Sequence, residues 1–167
     1  MQEPFGLIRL EAVAAPDVWH ARTPLTLYAV EPRSIVTVAL SVAALKDGDV
    51  AGLALFGTPH AWLGVERARD GFTLARFDQQ SGTRRVRLGK GRVWLRAECD
   101  FVRDRAGFHY STDGGGYAGT GGECPIGARA IVCALFCCTT LEQAAGGCAV
   151  FDSFVVTTDP RQQGARR

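Results

Sequence analysis

The 167-residue sequence contains no apolar run approaching the ~20 residues that cross a bilayer. Its opening residues, MQEPFGLIRL, have neither a basic start nor the apolar core of an export signal. Together these absences lead to the expectation of a cytoplasmic protein. Charge of one sign is equally scarce. Nineteen Lys and Arg stand against 17 Asp and Glu, a net charge of +2, and the basic residues are dispersed apart from local arginine pairs. That excludes the electrostatic footprint of a nucleic-acid binder. Histidine is limited to His20, His60 and His109, on separate segments, and no Gly-x-Ser-x-Gly elbow exposes a serine nucleophile. The glycines at 114–116 and 119–122 open no helix, so they cradle no phosphate and read as turns or a mobile loop. Cys133, Cys137 and Cys138 lack the second Cys or His pair of a zinc site. Most of the six cysteines fall inside apolar runs, where a thiol behaves as a small hydrophobe, and the adjacent Cys137 and Cys138 must point to opposite faces of a strand.

What remains is a sequence of short strands. Apolar residues make up 47% and charged residues 22%, the balance of a soluble globular chain that folds as one domain. Residues 34–42, 50–57, 60–67, 71–78, 92–100, 106–113, 131–138 and 148–156 are apolar or alternating runs separated by Gly, Asp, Pro and Arg clusters. The turns at Asp47-Gly48-Asp49, Asp70-Gly71 and Asp113-Gly114 supply residues that tolerate positive φ. The spacing predicts an all-β fold, a two-sheet antiparallel jelly-roll sandwich over residues 1–158, followed by a flexible basic tail at 159–167. Short helical pieces are expected only near 14–19 and 141–145.

Alternation assigns faces to these strands. Val36, Val38, Leu40 and Val42 share one face and belong to the core. Ala61, Leu63 and Val65 face inward, leaving His60, Trp62 and Glu66 outside. Val93, Leu95, Ala97 and Cys99 face inward, leaving Arg92, Trp94, Arg96, Glu98 and Asp100 outside. Two strands therefore present tryptophan with charged groups on their non-core side. Aromatic rings stack on the C–H faces of pyranoses, while carboxylates and guanidinium groups bond the hydroxyls. Trp62, Trp94, His60, Glu66, Arg96 and Glu98 are the candidate ligand-binding residues.

Several segments resemble a known family. Pro4-Phe5-Gly6-Leu7-Ile8-Arg9-Leu10 is similar to its opening strand, and Ala51-Gly52-Leu53-Ala54-Leu55-Phe56, followed by Ala61-Trp62-Leu63-Gly64-Val65, is similar to its central hairpin. Phe108-His109-Tyr110-Ser111-Thr112-Asp113-Gly114 resembles a later turn, and Phe151-Asp152-Ser153-Phe154 resembles the closing strand. In this order they resemble the C-terminal concanavalin A-like domain of glycoside hydrolase family 43 β-xylosidases. The resemblance implies a non-catalytic carbohydrate-binding or accessory module that packs on a glycosidase catalytic domain and helps shape its sugar site. It also implies an aromatic on a closing loop, yet the comparable stretch Cys124-Pro125-Ile126-Gly127-Ala128 carries none.

Three further readings stand beside it. A stand-alone glycoside hydrolase would use Glu98 and Asp100, which share a face two residues apart as a retaining carboxylate pair requires, although no third carboxylate completes the pattern. A structural module would use an exposed sandwich face to form a homodimer. No cofactor is expected beyond a structural calcium ion, for which Glu11, Asp17 and Asp152 are the candidate oxygen ligands.

Overall fold

Period-two alternation dominates the chain, and strands are what form. The computed structural model describes residues 6–22, 24–28, 32–89, 91–126, 132–141 and 146–158. In chain order the strands are β1 (Ile8–Glu11), β2 (Val13–Ala14), β3 (Leu25–Tyr28), β4 (Arg33–Ser41), β5 (Asp49–Phe56), β6 (Ala61–Ala68), β7 (Gly71–Asp78), β8 (Gly82–Leu88), β9 (Arg92–Asp100), β10 (Arg105–Ser111), β11 (Ala118–Pro125), β12 (Val132–Thr139) and β13 (Cys148–Thr158). They build a six-stranded sheet ordered β1-β13-β4-β9-β10-β11 and a seven-stranded sheet ordered β2-β12-β5-β6-β7-β8, with β3 also on β12. Among the described residues every pairing is antiparallel except the short parallel contact of β2 with β12, so the second sheet is mixed.

All eight runs expected as strands are strands, with ends shifted by a residue or two. The opening strand implied by the resemblance forms as β1, and the structure adds β2, β3, β8 and β11. The glycines at 119–122, expected as a turn or mobile loop, lie within β11: Gly119 pairs with His109 of β10, while Gly121 and Gly122, at φ 119° and 85°, fall in the register shift before Glu123 pairs with Gly107. The expected helical piece at 14–19 is instead the end of β2 followed by one 3₁₀ turn, Val18–His20. In the other expected piece Leu141 is non-helical and 142–145 lie outside the described residues, as does the tail at 159–167.

The main core fills the space between the sheets. Val36, Val38 and Leu40 of β4 and Val93, Leu95 and Ala97 of β9 meet Leu53, Leu63 and Leu135 from the opposite sheet, all fully buried. Phe151 and Phe154 sit three residues apart, so strict alternation would send them to opposite faces. A register shift between Asp152 and Val155, with Ser153 at φ 50°, turns both rings into the core and leaves Asp152 outside. The open side of the sandwich is tied by arginines: Arg76 donates to the Gly122 carbonyl at 3.0 Å while paired with Asp78 at 3.3 Å, both almost fully buried. At the other end, one carboxylate oxygen of Asp49 accepts from the Lys46 and Gly147 amides, joining the β4–β5 turn to β13.

All six cysteines are free and buried. Cys137 belongs to the inter-sheet core and Cys138 to a second cluster on the outer side of the seven-stranded sheet, the opposite orientation expected of neighbours in a strand. Burial pushes both thiols up to about 12.

Candidate functional site

The second apolar cluster marks where the seven-stranded sheet carries more than a solvated outer face. Register places Trp62 beside Ala54 of β5 and Phe77 of β7, so all three share the outer side. Across β5 and β6 the pair Gly52 and Gly64 leaves a bare strip, and the Phe136 ring of β12 lies over it. Trp62 meets Phe136 edge-on at 5.8 Å between centroids and stacks with Phe77 at 6.1 Å.

The N-terminal segment covers this floor. After β2 the chain crosses the outer face, and Asp17 caps the 3₁₀ turn by accepting from the His20 amide at 3.0 Å and meeting His20 Nδ1 at 2.6 Å. Burial works to raise the Asp17 carboxyl, but these His20 contacts hold it net below its ordinary value. The cap seats Val18 and Ala15 in the cluster with Trp62, which is only 9% exposed. Trp19, 45% exposed, is brought against His60 at 4.6 Å and Phe56 at 5.7 Å, and His60 continues to Phe77 at 5.3 Å.

A cleft of about 810 Å³ runs along this wall. Its aromatic end is Trp19, His60, Phe77 and the edge of Trp62; its polar end holds Glu66 and Arg85, joined by two hydrogen bonds of 2.8 and 3.2 Å. The hydrogen bonds that Arg85 donates to Glu66 raise the guanidinium above its ordinary value, fixing a charged fork beside the rings. Burial lowers His60, although the Gln79 hydrogen bond and the Asp17 charge pull it upward. Flat rings beside a fixed donor–acceptor pair suit a polyhydroxylated ligand.

The six candidate ligand residues divide between the two sheets. His60, Trp62 and Glu66 come together in the cleft, but Trp94, Arg96 and Glu98 belong to β9 of the six-stranded sheet and point out of the other side of the sandwich. There the Arg92 guanidinium lies 5.1 Å from the Trp94 ring and bonds Ser41 and Asp152. Arg96 stacks on Tyr117 at 3.8 Å and bonds Thr37. Gly114, at φ 81°, packs so closely on Trp94 that a Cβ would stand 3.0 Å from the ring. The cleft also contains residues that alternation alone did not select, Trp19, Phe77 and Arg85. Phe77 enters as the register partner of Trp62, and Arg85 reaches Glu66 from β8, across β7, so neither is readable from one strand.

Residues 1–157 match the family described as the β-xylosidase C-terminal concanavalin A-like domain. The chain belongs to that family. The structure superposes on a bifunctional GH43-CE protein of Bacteroides eggerthii with a TM-score of 0.84 at 26% identity, covering 92% of this chain and 21% of that one. A GH43 glycoside hydrolase engineered to display both endo-xylanase and exo-arabinofuranosidase activity gives 0.81 at 21% identity, covering 90% and 34%. A functionally unknown protein from Saccharomyces cerevisiae shares the fold at 0.72 and 15% identity, covering 95% and 92%. No curated protein sequence matches. This chain therefore spans between about a fifth and a third of the length of the two family 43 proteins.

Within this family 43 type sandwich the remaining candidates have local partners. Asp100 accepts from Arg33 at 2.7 and 3.1 Å and from the Val102 and Arg103 amides at 3.1 Å each. The Arg33 hydrogen bond is the main cause that lowers its carboxyl, so Asp100 is an ionised turn anchor beside Glu98. The candidate calcium ligands do not converge: Glu11 faces Arg9 at 3.5 Å, Asp17 caps its turn, and Asp152 bonds Arg92 at 3.0 Å. Among the described residues no group of three or more His, Cys, Asp or Glu is placed to hold a metal ion.

Proposed function

We propose that this chain is a non-catalytic accessory module that holds a xylo- or arabino-oligosaccharide in the cleft of the seven-stranded sheet, beside a family 43 glycosidase catalytic domain. The observation that carries the reading is the cleft itself. A partly exposed ring wall of Trp19, His60 and Phe77 is packed on the buried Trp62 and ends at the Glu66–Arg85 fork. Packing restricts the rings before any ligand arrives, so less side-chain entropy is lost on binding. Family membership supports the partnership with a catalytic domain, and the engagement of Asp100 by Arg33 and the turn amides supports a module that contacts sugar without cleaving it.

Isothermal titration of the purified chain with xylotriose and arabinotriose, with product analysis of the same samples, tests this. Saturable binding without new products is expected, weakened several-fold in Trp19→Ala, the order of one aromatic stacking contact. Cleavage products abolished by Glu98→Gln would establish the hydrolase reading instead.

A further inference from the structure

On the opposite outer face, the six-stranded sheet carries a hollow of about 320 Å³. Most charged groups around it are already paired: Arg33 with Asp100, Arg103 with both Glu123 oxygens, and Arg105 with the Glu123 carbonyl. Glu98 and His109 differ. Glu98 Oε2 stands 3.9 Å from His109 Nε2, too far for a direct hydrogen bond, and both side chains are partly open to solvent. Among the described residues neither side chain has a closer polar partner.

The surroundings keep this gap open. Glycines flank the imidazole on both sides: a Cβ on Gly107 would stand 3.3 Å from Nε2, and one on Gly119 would stand 3.9 Å from Nδ1. The pairing of β10 with β11 shifts register between Gly107 and His109, a bulge of the kind that re-aims a side chain. On the same face Trp94 and the Arg96–Tyr117 stack flank the Glu98–His109 pair along β9 and β10.

We propose that this hollow is a second saccharide site, in which a sugar hydroxyl bridges Glu98 and His109. The hydroxyl donates to the carboxylate and accepts from the Nε2 hydrogen, a dual role that one hydroxyl fills and a simple anion or cation does not. With the cleft on one face and this hollow on the other, the module carries two back-to-back contacts and joins two glycan segments.

The test is imidazole ¹⁵N NMR of the full chain titrated with xylotriose. A saturable shift of His109 Nε2 is expected, weakened about tenfold or more in Glu98→Ala, the size of one hydrogen bond to a charged group, and retained in Trp19→Ala. Both side chains are partly exposed, so Glu98→Ala and His109→Ala are expected to fold. A His109 signal that stays fixed while the cleft responds overturns this proposal and leaves the cleft reading standing. A His109 shift with a silent cleft does the reverse. A shift unchanged by Glu98→Ala also overturns it, because the bridge requires both groups.

Discussion

Replacing Gly64 with alanine is expected to damage stability and cleft together. The added Cβ would stand 2.6 Å from the Ala51 carbonyl oxygen and 3.2 Å from Cζ of Phe136. The first contact is with backbone, so β5 and β6 must separate, and the Gly52 side leaves no slack: a Cβ there would stand 2.4 Å from Gly64 Cα. Overpacking in a filled site costs about 1–3 kcal/mol, against which loss of glycine's unfolded-state freedom returns about 0.4–1 kcal/mol. The net is a loss of roughly 1–2 kcal/mol, which for a domain of this size lowers Tm by roughly 2–8 °C. Phe136 is also displaced, and Trp62, edge-on to it at 5.8 Å, moves with it. Thermal denaturation measures the first effect and xylotriose titration the second. A Gly64→Ala protein as stable as the parent would refute the reasoning that this glycine pair exists to seat Phe136.

Trp62→Ala is expected to cost about 3–5 kcal/mol, the range for deleting a buried aromatic, read by urea denaturation. The Asp113 carboxyl accepts from the Gly115 amide, Ser111 Oγ and the Gly116 amide, which hold it down at about 2 against an ordinary 3.8. Because the folded value is depressed, its contribution is present above pH ~4 and is lost as pH falls toward 2; carboxyl NMR of Ser111→Ala should show the Asp113 midpoint moving upward. All six cysteines should resist thiol labelling in the native state and all six should react in denaturant. A fast-reacting native thiol would contradict the buried assignment of that cysteine.

Much of the core was legible because burial on one face writes itself as alternation. The inward sets of β4, β6 and β9 follow directly from it. β8 was not legible because it is an edge strand with Arg84, Arg85, Val86 and Arg87 exposed in succession, so neither face imposes a pattern. β11 is glycine-rich and takes its extended form from pairing with β10 rather than from its own propensity. The candidate site was half legible. Trp62, His60 and Glu66 were on one face as expected, but which strands neighbour β6 depends on sheet order, which one sequence does not encode locally. That is why Trp94 fell on the far side and why Phe77 and Arg85 emerged only with the register. Trp19 lies in a segment whose conformation is set by the Asp17 cap and by docking on the outer cluster, not by periodicity.

Oligosaccharide binding in the cleft is tested most directly by amide and indole chemical-shift mapping of the ¹⁵N-labelled chain with xylotriose. The account predicts saturable shifts at Trp19, Trp62, His60, Phe77 and Arg85, lost or weakened in Trp19→Ala. Unmoved resonances around the cleft at saturating xylotriose would contradict it.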